Sequence, residues 1–134
     1  MKRDIPQQDV TDVAVAAAPR AGTPGEEMWD IYLINLGREP LTNVLITSQG
    51  YGMLDGNDKT TTVLRHFHPE LAGRSSLKIE PIQTRLFGIT NEYWVSFNRG
   101  EGILDKKYVF RPGQIGPDQL TEVPVLNRPG VYKA

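Results

Sequence analysis

The chain has two histidines, His66 and His68, two residues apart in the stretch VLRHFHPELAG (63–73), with Glu70 two positions further on. On an extended strand, residues i and i+2 project from the same face. The two imidazoles would then point together, the arrangement that holds zinc, iron or copper. Two histidines and one carboxylate, Glu70 or Asp55, would complete a facial triad. Against this, Pro69 is expected to end the strand just after His68 and let the rings diverge. The competing reading places both histidines at a strand end, partly exposed and hydrogen-bonded to loop backbone. We adopt that reading and expect no metal, no cofactor and no catalytic residue.

Other constellations carry less. The segment QGYGMLDGND is glycine-rich, but it lacks the spacing of a phosphate loop and no helix follows it. Asp55 and Asp58 lack the closing bidentate glutamate of a calcium loop, and Asp55-Gly56 reads as a turn. The serines of TSQG and GRSS have no base beside them in sequence. Glu92, Glu101 and Asp105 could be paired as glycosidase carboxylates, but glutamates flanking strands are ordinarily solvated. Arg99, Lys106 and Lys107 do not form the basic, aromatic-interleaved stripe of an RNA platform.

Composition narrows the classes further. With 15 basic against 16 acidic residues the net charge is −1, which disfavours a nucleic-acid partner, because such a partner needs a concentrated positive field. There is no cysteine, so disulfides, thiolate nucleophiles and cysteine zinc sites are excluded. The opening MKRDIPQQDV has two basic residues with no apolar run behind them, and VAVAAAP is short. No signal peptide, transmembrane span or membrane partner is expected, and the default location is cytoplasmic.

The elements that must position these residues are strands. The dominant period is two. VTDVAVAA places Val13, Val15 and Ala17 on one face. MWDIYLINL is a second strand, and LTNVLITS a third with Leu41, Val44 and Ile46 toward the core. QGYGMLDGNDK is expected to be a loop. TTTVLRHF, SLKIEPI, NEYWVSFN and ILDKKYVF complete seven strands. In SLKIEPI, Leu77 and Ile79 alternate with an outward Lys78 and Glu80. In NEYWVSFN, Tyr93, Val95 and Phe97 face inward and Trp94 outward. Seven short strands punctuated by Gly and Pro predict an all-β sandwich in one domain, 1–134, with a core at about 10–111 and a proline-rich tail, 112–134. The tail could lay one short strand along an edge near Leu120 to Val125, where proline is tolerated.

Two resemblances follow from particular residues. WDIYLINLGREPLTNVLITSQG, through Asn35, Gly37, Leu41, Asn43 and Val44, resembles the strand B to strand C region of bacterial immunoglobulin-like domains. ELAGRSSLKIEP is similar to their strand E and the loop before it. This implies an immunoglobulin-like antiparallel sandwich, and a fold does not by itself assign a function. The whole chain, through MKRDIP, GYG, LRHF and NEYWVSF, also resembles a small uncharacterised bacterial family whose members are sometimes labelled phenylalanyl-tRNA synthetase alpha subunits. A class II synthetase core is a much longer α/β structure, and its arginine-bearing ATP motifs are not found in this chain. The histidine pair is similar to the H-x-H of cupins. Cupins, however, follow it with glutamate after three or four intervening residues, where Ala72 and Gly73 stand here, and add a further histidine.

The function expected is that of a non-catalytic interaction or assembly module that self-associates. If Asn35 points inward with Trp29, Ile31 and Leu33, then Asp30, Tyr32, Ile34 and Leu36 lie outside, and three of these four are apolar or aromatic. Exposed apolar runs mark contacts, so Tyr32, Ile34, Leu36 and Trp94 are the expected interface of a two-fold homodimer. If the tail covers that face instead, a monomer results. A metal-dependent enzyme or sensor on His66 and His68, and a small-ligand pocket gathering Tyr51, Arg65 and Trp94, are the alternatives.

Overall fold

The structure, a computed structural model, describes residues 10–20 and 28–134. The N-terminal MKRDIPQQD and most of the PRAGTPGEE loop lie outside the described residues. Among the described residues, ten strands form two antiparallel sheets packed as an all-β sandwich. The strands are β1 (Val13–Pro19), β2 (Met28–Asn35), β3 (Leu41–Leu54), β4 (Asn57–Thr60), β5 (Leu64–Leu71), β6 (Ser75–Gln83), β7 (Thr90–Arg99), β8 (Gly102–Phe110), β9 (Thr121–Val123) and β10 (Arg128–Lys133). One sheet runs β6-β2-β1-β10-β9. The other runs β4-β3-β7-β8, with β5 also paired to β3. Among the described residues no helix is long and apolar enough to cross a membrane.

Period-two patterning builds the core as expected. Val13, Val15 and Ala17 of β1 and Trp29, Ile31 and Leu33 of β2 meet Leu41, Val44 and Ile46 of β3 and Tyr93, Val95 and Phe97 of β7. Trp29 packs edge-on against Phe87, with ring centroids 5.0 Å apart, and Tyr93 against Phe110 at 6.2 Å, the preferred geometry of aromatic pairs. Across the two sheets, the Tyr108 hydroxyl donates to the carbonyl of Val13 at 2.5 Å.

Three features depart from the expected pattern. The glycine-rich segment is not a loop. β3 continues through it, and Asp55 and Gly56, both at positive φ (54° and 79°), turn the chain into β4. Asp-Gly favours this two-residue hairpin turn. Pro69 does not stop β5, which runs on to Leu71. Among the described residues β5 pairs only with β3, and a proline on an edge strand forfeits no ladder bond that the sheet needs. Finally, the C-terminal segment is more than an edge decoration. β9 does form at the expected place, but β10 pairs with β1 (Ala16 opposite Tyr132) and so becomes an inner strand.

That C-terminal hairpin has a consequence for β2. The facing is as read from the sequence, with Tyr32 and Ile34 opposite to the core residues. That face, however, is covered within the chain. Ala14, Ala16, Ala18, Tyr32, Ile34 and Val123 form a second buried apolar cluster, with Leu36, Val125, Leu126 and Tyr132 packed against it. Arg128 clamps it by donating to the Tyr32 hydroxyl at 3.0 Å and to the carbonyl of Pro19 at 2.5 Å. Val125 is held at φ 70° in the turn between β9 and β10, a conformation that strains a β-branched residue.

The N-x-G motif is a structural junction. Asn35 is fully buried, and its Nδ2 lies 2.8, 3.3 and 3.2 Å from the carbonyls of Glu39, Leu71 and Ala72. Its Oδ1 accepts from the amide of Gly37, and the carbonyl of Gly37 accepts from the amide of Arg74. Gly37 is not at positive φ, so the constraint there is space: a Cβ would lie 2.5 Å from Asp12 Oδ2.

Burial sets an alkaline limit to stability. The phenol of Tyr93 is pushed far above its ordinary value of 10.0 by burial and then by the Glu80 carboxylate. Tyr108 is raised by burial and then by Asp12. The folded state therefore holds both protons where the unfolded chain releases them. Their contribution is fully present below the unfolded value of 10.0 and is lost as pH rises above it toward the folded values. Unfolding free energy should be flat across neutral and mildly alkaline pH and fall above about pH 10. Tyrosinate absorbance and chemical denaturation read side by side check this.

Candidate functional site

The histidines occupy the middle of β5, not its end. His66 lies opposite Ile46, and His68 opposite Val44. Both neighbours face the core, so both imidazoles share one side, as the i, i+2 spacing requires. Among the described residues, the partner of His66 is a side chain and not loop backbone. The His66 Nε2 lies 2.9 Å from Oε1 of Glu80, on the facing sheet. The same carboxylate oxygen accepts the hydroxyl of Ser48 at 2.9 Å. Glu70 is exposed and lies opposite Thr42. No group of three or more His, Asp or Glu side chains suited to a metal gathers among the described residues.

Glu80 was read from alternation as outward-facing. A bulge corrects this. The pairing of β2 with β6 shifts between Ile31 and Tyr32, so Glu80 lies directly opposite Ile31, a core residue, and turns inward. Its side chain is 14% exposed. A period-two reading cannot foresee such a step, because one extra residue reverses the facing of everything beyond it.

Glu80, Ser48 and Tyr93 line a cavity of about 290 Å³ between the sheets, at the side where β5 and β6 leave the sandwich open. Leu64 and Ile82 supply apolar wall, and Asn91 is held by its Nδ2 donating to the carbonyl of Leu86 at 2.8 Å. Among the described residues that line the cavity, Glu80 is the one charged side chain. Tyr51, Arg65 and Trp94 do not line it. No local sequence pattern marks this site, because Ser48, Glu80 and Tyr93 come from three separate strands.

Those three other residues lie on the outer face of the second sheet. Arg65, Thr47, Trp94 and Lys107 stand side by side across β5, β3, β7 and β8. In the adjacent row stand Phe67, Leu45, Ser96 and Asp105. Tyr51 lies further along β3, where its hydroxyl donates to Glu92. On this face Phe67 is 59% exposed, Trp94 48% and Leu45 40%, and Ile103 beyond them 74%. Lys107 Nζ sits 5.6 Å from the centroid of the Trp94 ring, in cation–π range. The expected interface thus divides. Trp94 is exposed, whereas Tyr32 and Ile34 lie under the chain's own β9–β10 hairpin.

Comparison with family models, with curated proteins and with solved structures finds no match to this chain.

Proposed function

We propose that this chain is a non-catalytic, immunoglobulin-like assembly module of the cytoplasm that pairs with a second copy of itself through the outer face of the β5-β3-β7-β8 sheet. One observation carries the reading. The chain covers the apolar outer face of one sheet with its own hairpin and leaves Phe67, Leu45 and Trp94 bare and adjacent on the other. A water-facing sheet surface ordinarily alternates to polar residues, and extended apolar patches on soluble chains mark contacts. The immunoglobulin-like part of the reading is supported by β6-β2-β1 packing against β5-β3-β7-β8 and by the buried Asn35 at the end of β2.

Charge complementarity favours a second copy as the occupant. A two-fold axis running across the strands, between the Phe67 row and the Arg65 row, lays each row over the other. Asp105 then meets the partner's Lys107, and Arg65 lies over the partner's Phe67, twice each by symmetry. Leu45 and Trp94 fill the centre, where hot spots concentrate. Sedimentation equilibrium tests the reading. Wild type should be a dimer at micromolar concentration, and Phe67→Glu should be a folded monomer, since Phe67 is 59% exposed and belongs to neither buried cluster. A monomeric wild type at high micromolar concentration would refute the reading.

A further inference from the structure

We infer that the cavity at the open side of the sandwich is a binding site for a small primary amine in its ammonium form, with a short apolar body. This does not depend on the self-association face, which lies on the opposite side of the second sheet. The argument starts from charge. Among the described residues Glu80 is the one charged side chain lining the cavity and no lysine or arginine lines it, and the carboxylate is 14% exposed. A carboxylate withdrawn from water needs a positive or hydrogen-donating partner. Ser48 and His66 approach one of its oxygens, Oε1, at 2.9 Å each.

The rest of the lining fits the same ligand class. The Tyr93 side chain borders the space, and Asn91 has its amide nitrogen committed to backbone carbonyls at 2.8 and 3.3 Å, which leaves its oxygen as an acceptor. Leu64 and Ile82 form apolar wall. The volume of about 290 Å³ is at the small end for ligand sites, enough for a few heavy atoms. An ammonium group donates to a carboxylate through a charge-assisted bond, which strengthens where water is excluded. An acid of the same size would meet Glu80 with like charge, and a neutral alcohol would forgo the charge term.

The experiment compares n-butylammonium, butyrate and n-butanol by backbone amide NMR on the full chain, with Glu80→Gln as the variant. Butylammonium should move the signals of Ser48, Glu80, Ile82 and Tyr93 saturably. Butyrate should leave them in place, and butanol should bind at least about tenfold more weakly, a difference one charge-assisted bond readily supplies. Glu80→Gln, nearly isosteric, should weaken butylammonium by about tenfold or more. No saturable shift with butylammonium, equal binding of butyrate or butanol, or unaltered binding by a folded Glu80→Gln would each overturn the inference. If the variant does not fold, the three probes on wild type still decide.

Discussion

An Ile34→Glu variant is expected to unfold, or to release the β9–β10 hairpin, rather than to dissociate a dimer. Ile34 has 0% exposure and packs among Ala14, Ala16, Ala18 and Val123. A carboxylate there would have no partner within this apolar cluster. The lost packing alone costs roughly 2–5 kcal/mol, and an unpaired buried charge adds to it. A domain of this size has only about 5–15 kcal/mol to lose. Chemical denaturation and proteolysis of the C-terminal segment give the readout. A variant with wild-type stability would show that the hairpin does not cover β2.

Gly73→Val is expected to cost about 3 kcal/mol or more, at the upper end for a single substitution. A Cβ at Gly73 would lie 2.1 Å from the carbonyl oxygen of Arg38 and 2.5 Å from its carbon. Both atoms are backbone, so no side-chain rotation can relieve the clash. The loop after β2 and the loop before β6 are pressed together here by Asn35 and by the Arg74 amide bond to the Gly37 carbonyl. A shift of either loop would open those bonds. Gly37→Ala should be milder, because its obstacle is the movable end of the Asp12 side chain, which is paired with Arg99 at 3.0 Å. An equal denaturation midpoint for Gly73→Val and wild type would contradict this packing.

The difference between these two glycines illustrates what the sequence made legible. N-x-G was readable as a motif, and Asn35 proved to be the buried hub. Gly73 stood in a stretch read only as the loop before a strand, because its constraint comes from a loop 35 positions away in sequence. The same holds for strands. Seven of the ten were visible as period-two runs, since facing is a local property. β4 was hidden by glycines that suggest a loop. β10 was hidden because RPGVYK has little alternation, and its place beside β1 is set by long-range pairing. The cavity was the least legible part. His66 was visible, but its partner Glu80 faces inward only because a bulge displaces the register of β6.

The assignment of an assembly face rests on Phe67, Leu45 and Trp94, and on which charge meets which across the two-fold axis. A charge-reversal pair reads that arrangement directly. Asp105→Lys would set two lysines of one chain against the partner's lysines, and Lys107→Asp would set aspartates against aspartates. Both residues are on the outer face of β8, so neither substitution should disturb the core. Each variant alone should be monomeric in sedimentation equilibrium at a concentration where wild type is dimeric. Mixed in equal amounts, they should form a one-to-one heterodimer, because each lysine then meets an aspartate. Homodimers of either variant as strong as wild type, or a mixture that stays monomeric, would contradict the account.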